Sequence, residues 1–145
     1  MPTDNAVRTV EVRAAFEDVL STIRDVESQP EWIPEILEAE LLEVYEDDGL
    51  PATARFKASA TVGTDQYTLS YDHGEDCMSW TMVEGRLQTG QEGRYTLVPL
   101  GRDKTEVTYD LTIHHNLPLP GFVRRRVIGG LVDSTLGGLK ARLEA

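Results

Sequence analysis

Apolar side chains recur along this chain in two periods, and the periods come in a definite order. Val7 to Val12 alternates as Val-Arg-Thr-Val-Glu-Val and predicts a short strand. Phe16, Val19, Leu20, Ile23 and Val26 then recur at three- and four-residue steps. Glu17 and Asp18 stand where the first turn of a helix favours acids, so this segment is a helix. Glu27-Ser28-Gln29 breaks it, and Pro30 and Pro34 leave room around Trp32 for one short helical turn at most.

From Leu37 to Ile113 the period is mostly two. Leu37 to Tyr45 is a strand ending at the acidic turn Glu46-Asp47-Asp48-Gly49. Phe56, Ala58, Ala60 and Val62 alternate with polar residues, as do Tyr67, Leu69 and Tyr71, and then Met78, Trp80 and Met82. Gly63-Thr64-Asp65 and Asp72-His73-Gly74-Glu75-Asp76 separate these runs. Arg86 to Leu100 and Lys104 to His114 complete the set, with Gly101-Arg102-Asp103 between them. One apolar and one polar face per strand describes an antiparallel sheet covered on one side, and short turns make the last six strands a meander.

After Leu117-Pro118-Leu119-Pro120-Gly121 the period changes again. Ile128, Leu131, Val132, Leu136, Leu139 and Leu143 share one face of a helix of about 24 residues, about 36 Å long at 1.5 Å per residue. Pro120 suits its first turn. The expected fold is therefore α+β: a strand, two short helical segments, six more strands and a long helix. A strongly twisted sheet of about seven strands would curve around that helix, the one long apolar object available. The helix carries Gly129-Gly130 and Gly137-Gly138, which together oppose helix formation by about 3–4 kcal/mol. Either the backbone approaches the sheet closely there, or missing side chains leave room for a ligand.

Composition narrows the function classes. The 145 residues are expected to form one domain, 1–145, with ordinary hydrophobic (40%) and charged (27%) content. A net charge of −11, with Arg124-Arg125-Arg126 as the only small basic run, argues against nucleic acid as a direct ligand. The single cysteine, Cys77, lies among Asp72, Glu75 and Asp76 and is read as structural; one cysteine permits no internal disulfide. Met1 to Asn5 lacks the regions of a secretion signal, and no apolar run reaches the ~20 residues of a membrane span, so a cytoplasmic location is expected.

Three stretches carry a family resemblance: Val10-Glu11-Val12 followed by Ala14, Glu17 and Val19; Asp25-Val26-Glu27-Ser28-Gln29-Pro30-Glu31-Trp32-Ile33-Pro34; and Leu117-Pro118-Leu119-Pro120-Gly121-Phe122. The second resembles an Asp-x-Glu-x-x-Pro-x-Trp-x-Pro signature. With these the chain, from about Val7 to Glu144, resembles the START/birch-pollen-allergen (SRPBCC) superfamily. More narrowly, it resembles the polyketide cyclase/dehydrase and lipid-transport family. It departs at Ala15, where proline is frequent, and at Leu20, where an aromatic is frequent. The resemblance implies a helix-grip fold, with a cavity between the concave sheet and the last helix. It implies no single activity, because members include carriers, cyclases and regulators.

The residues support a cavity on their own terms. Trp32, Phe56, Tyr67, Tyr71, Met78, Trp80, Met82, Tyr95, Tyr109, Phe122 and Leu131 are the candidate ligand contacts, with Ala58, Ala60 and Gly93 leaving space. Polar residues on the same phase are His73, Glu84, Thr89, Gln91 and His115. Of these Glu84, His73 and His115 are the candidates for moving a proton. Arg124, Arg125 and Arg126 stand at a helix N-terminus, where cations are unfavourable without an anion. They meet a carboxylate, a phosphate headgroup or an acidic partner there, or pair with Glu46-Asp47-Asp48. Adjacent strand residues face opposite ways, so His114-His115 is no metal motif, and neither a metal nor a cofactor is expected. The leading reading is a carrier or binding module for a lipid, isoprenoid or polyketide-like molecule. The alternatives are a polyketide aromatase/cyclase and an interaction protein of the ribosome-associated or coenzyme-Q-binding type. Oligomeric state stays open.

Overall fold

A computed structural model describes residues 3–60, 63–116 and 118–145; Thr61, Val62 and Leu117, used in the strand and loop patterns above, lie outside the described residues. Strand β1 (Thr3–Val12) leads to helix α1 (Phe16–Arg24) and a 3-10 helix (Val26–Glu31). Six strands follow: β2 (Ile36–Val44), β3 (Pro51–Ala60), β4 (Gly63–His73), β5 (Cys77–Gly85), β6 (Gln88–Pro99) and β7 (Thr105–His115). Helix α2 (Gly121–Glu144) closes the chain.

The strands form one antiparallel sheet in the order β1-β7-β6-β5-β4-β3-β2. The meander is as the period predicts, and β1 is zipped onto β7 with Thr3 opposite His114 and Val12 opposite Thr105. Turns therefore alternate between two ends of the sheet. The β2–β3, β4–β5 and β6–β7 turns lie at one end, and the β3–β4, β5–β6 and β7–α2 connections at the other. Helix α2 packs against β1 and β7 and buries Ile128, Val132, Leu136 and Leu139 of the expected face. Leu131 and Leu143 are partly buried against the same core.

Three details depart from simple periodicity. The 3-10 helix precedes Trp32 and contains Pro30, where a turn around Trp32 was expected. Strand β2 buries only Ile36 and leaves Leu37, Leu42 and Val44 exposed. It is an edge strand with three register irregularities against β3. Finally, the β4–β5 ladder slips between Thr68 and Leu69, which sets Glu84 opposite Thr68 instead of in phase with Met82. Directly paired residues share a face. Glu84 thus turns away from the concave side, beside Arg55, Gln66 and Arg86.

The glycine pairs resolve position by position. A Cβ on Gly138 would stand 1.7 Å from the carbonyl oxygen of Trp32, so there the helix touches the backbone of the Trp–Pro turn. Gly130 and Gly137 face open space, and Gly129 lies near the Arg8 guanidinium. None of the four borders the cavity described next.

Candidate functional site

Between the concave sheet and α2 lies a cavity. Water-molecule centres can occupy about 170 Å³ of it, far above the ~10–15 Å³ that a single water requires, so it has room for several waters or a small ligand. Its deep side is aromatic: Tyr67, Tyr71, Trp80, Tyr95 and Tyr109, each at most 8% exposed. Tyr95 stacks on Tyr109 with ring centroids 4.5 Å apart, and Trp80 lies 5.4 Å and 5.9 Å from them. The Trp80 indole fills the space left by Gly93, where a Cβ would come within 2.1 Å of the ring. That glycine therefore seats the indole and adds no room for a ligand.

A polar line crosses this wall. Trp80 Nε1 donates to Gln91 Oε1 (2.9 Å), Gln91 Nε2 to Gln88 Oε1 (2.8 Å) and Gln88 Nε2 to Asp65 Oδ2 (3.1 Å). The other Asp65 oxygen accepts the backbone N–H groups of Leu87 (2.8 Å) and Arg86 (3.3 Å). Asp65, 2% exposed, is thus a carboxylate fixed by the β5–β6 turn. Burial pushes the hydroxyls of Tyr67, Tyr71, Tyr95 and Tyr109 well above their ordinary pKa, so they act as neutral donors and acceptors. Tyr71 stands apart. Gln29 lies near enough to offset part of its rise, yet among the described residues no group meets the buried Tyr71 hydroxyl in hydrogen-bonding geometry.

At the β7–α2 end the lining becomes exposed. Ser59, Ala60 and Val127 border the cavity there, as do the half-buried Leu119 and Arg124, and this is its mouth. His115 Nε2 lies 2.8 Å from Asp4 Oδ2, and both side chains are nearly inaccessible. Arg124 Nε donates to the same oxygen at 3.2 Å. This cluster ties the start of β1, the end of β7 and the head of α2 together at the rim. Arg124 therefore pairs with Asp4; the acidic turn Glu46-Asp47-Asp48 lies at the opposite end of the sheet.

Among the expected contacts, Tyr67, Tyr71, Trp80, Tyr95, Tyr109 and Leu131 line the cavity, together with His115, Gln91 and Arg124. Phe56 is buried outside the lining, stacked on Tyr67 at 5.6 Å, and Met78 is likewise buried away from it. Met82 packs at Gly85, Trp32 against α2, and Phe122 is 61% exposed near the rim. Arg125 and Arg126 are exposed. His73 sits at the opposite end with Nε2 2.7 Å from the Pro51 carbonyl, and neither it nor Glu84 reaches the cavity. Thr89 falls at a second ladder irregularity, between Gln88 and Gly90, and is exposed. His114 faces away from His115, toward Glu92 and Thr3. Periodicity missed Asp4, Asp65 and Gln88. The signal was present for the first two: Asp4 shares the phase of Val10 and Val12, and Asp65 that of Tyr67 and Leu69.

The sequence matches one family, polyketide cyclase/dehydrase and lipid transport, over residues 3–144. The chain belongs to that family. Comparison with curated proteins finds no match. Among solved structures, a START superfamily protein from Mycobacterium smegmatis is 29% identical with a TM-score of 0.89, covering 97% of each chain. The ZhuI aromatase/cyclase of Streptomyces sp. R1128 superposes with a TM-score of 0.82 at 16% identity, over 99% of this chain and 94% of that one. A STAR-related lipid transfer protein from Xanthomonas axonopodis gives 0.72 at 20% identity, over 97% and 86%. The last two likenesses are of fold. The helix-grip architecture is thus shared along nearly the whole chain with proteins named for cyclisation and for lipid transfer. No helix among the described residues is long and apolar enough to cross a membrane.

Proposed function

We propose that this protein is a binding or carrier module for a small hydrophobic molecule that bears at least one hydrogen-bond acceptor. The observation that carries the reading is the Tyr71 hydroxyl: fully buried, neutral, bordering the cavity and without a partner among the described residues. A buried donor left unpaired costs about 1–3 kcal/mol, which a ligand carbonyl or hydroxyl at that spot would recover. The apolar and aromatic wall supports the rest of the ligand, as in pockets that orient an apolar body with a few polar groups.

The test is native mass spectrometry of freshly purified protein, with solvent extraction of what it carries. A stoichiometric apolar molecule is expected. Its affinity should fall about 3- to 10-fold in Tyr71→Phe, the worth of one neutral hydrogen bond, while the melting temperature stays level or rises. Ala58→Phe, which places a ring in the lining, should abolish binding. A ligand that binds both variants as tightly as the parent would sink the cavity assignment.

One observation favours a second reading, an aromatase/cyclase. The His115–Asp4 pair is a buried imidazole–carboxylate unit at the cavity wall, a pairing able to relay a proton to a bound chain. On that reading His115→Gln keeps ligand affinity and removes turnover; a variant that cyclises a bound polyketone at the parent rate excludes it.

A further inference from the structure

The cavity wall carries more negative than positive charge. The carboxylates of Asp4, Glu35 and Asp65 line it, against the basic side chains of Arg124 and His115. Both bases turn to Asp4: Arg124 Nε lies 3.2 Å and His115 Nε2 2.8 Å from the same oxygen. Whether His115 is protonated or neutral, these five groups sum to a negative charge. Asp65 and Glu35 take no part in any ion pair among the described residues. Arg86 reaches Asp65 only through its backbone N–H.

Neutral donors hold these two carboxylates in place and leave them acceptor capacity. Asp65 Oδ1 accepts two backbone N–H groups, whereas Oδ2 accepts only Gln88 Nε2. Glu35 sits where β2, β3 and α2 meet: the Ser59 N–H donates to its carbonyl at 2.8 Å, and Ser134 Oγ donates to its Oε1 at 3.0 Å. A carboxylate offers about four lone-pair sites, so both side chains can accept a further donor from inside the cavity. The aromatic wall registers their charge. Burial first and then Asp65 raise the pKa of the Tyr67 hydroxyl; burial, its tyrosine neighbours and then Glu35 raise that of Tyr109. Negative potential therefore reaches the deep wall, where little water is present to screen it.

We propose that the cavity selects an apolar molecule whose polar groups are hydroxyls or an ammonium, and rejects molecules of the same body that end in a carboxylate or phosphate. A hydroxyl can accept from Tyr71 and donate to Asp65 or Glu35, and an ammonium donates to either carboxylate while offsetting the charge of the wall. An anionic end brings a like charge into a site whose two bases already face Asp4. Repulsion of that kind discriminates more sharply than a further attractive contact does. The selection rests on the binding reading above and deepens it by naming the ligand's polar chemistry.

Three probes with one body test it by calorimetric titration of the intact chain: 2-naphthol, 2-naphthylmethylamine and 2-naphthoate. The alcohol and the amine are expected to bind, and the naphthoate about tenfold more weakly or worse. Glu35→Gln with Asp65→Asn should bring naphthoate to within about threefold of naphthol and weaken the amine. Glu35 is only half-buried, so Glu35→Gln alone should narrow the gap even where a melting curve shows that Asp65→Asn unfolds. The protein's net charge of −11 would also disfavour an anion, but salt screens that effect. The naphthol-to-naphthoate ratio should therefore hold within about twofold at high salt, and in Glu46→Gln with Asp47→Asn at the far end of the sheet. Naphthoate binding as tightly as naphthol, a ratio untouched by Glu35→Gln, or a ratio that salt abolishes each overturns the proposal. So does failure of all three probes to bind. In that case an apolar molecule released in the mass spectrometry experiment keeps the binding reading standing, and its absence removes both.

Discussion

Within the two glycine pairs of α2, single positions have opposite energetic signs. Gly138→Ala drives a methyl group into the Trp32 carbonyl, 1.7 Å away, and a backbone atom cannot swing aside as a side-chain tip can. The expected loss is about 1–3 kcal/mol after crediting alanine's better helix propensity, a fall in melting temperature of about 3–10 °C. Gly130→Ala and Gly137→Ala meet nothing within 4 Å and should stabilise by up to about 1 kcal/mol. Thermal melts of the three variants check both signs. This also shows what the sequence could not say. The glycine pairs were visible, but which member touches a neighbour depends on where the Asp25–Pro34 segment crosses the helix, a contact about a hundred residues distant in sequence. Glu84 is similar. Alternation assigned it to the cavity, and one ladder slip at Thr68, which leaves no mark in the local pattern, turned it outward.

Elements were far more legible than their joints. Seven strands, two helices and the meander follow from period alone, because one covered face and short turns leave few topologies open. The joints rest on particular side chains, and Glu144 is the clearest. It accepts the Arg13 backbone N–H at 2.9 Å, the Arg13 guanidinium at 3.2 Å and Lys140 Nζ at 2.7 Å, fastening the end of α2 to the turn between β1 and α1. The Lys140 ammonium first, then the Arg13 N–H, hold its carboxyl down to about 2 from an ordinary 4.5. A depressed folded-state pKa means the proton binds the unfolded chain more readily. The clamp therefore contributes fully above about pH 4.5 and fades as pH falls toward 2. Glu144→Gln should be less stable than the parent at neutral pH, and the gap between their urea midpoints should close through that acid window. A gap that stays constant to pH 2 would mean that Glu144 acts by packing instead of charge.

At the scale of the whole molecule, alternating turns sort charge as well as chain. The sheet gathers the β2–β3 and β4–β5 turns side by side, and Tyr45 between them registers the result. Desolvation first, and then Asp72, Asp48 and Asp47, hold its hydroxyl above the ordinary value. Like charges crowded at one end oppose the compact state, and salt relieves them. The melting temperature should therefore rise from low to physiological salt, against the usual weakening of surface ion pairs. Glu46→Lys with Asp47→Lys, which removes repulsion at exposed positions where the Asp48 hydrogen bond to Leu50 is left intact, should raise it by about 2–4 °C at low salt, from a few tenths of a kcal/mol per charge. The gain should shrink by half or more at high salt. A gain indifferent to salt would place the effect in turn propensity, and would remove the crowding of acids as a force shaping this fold's stability.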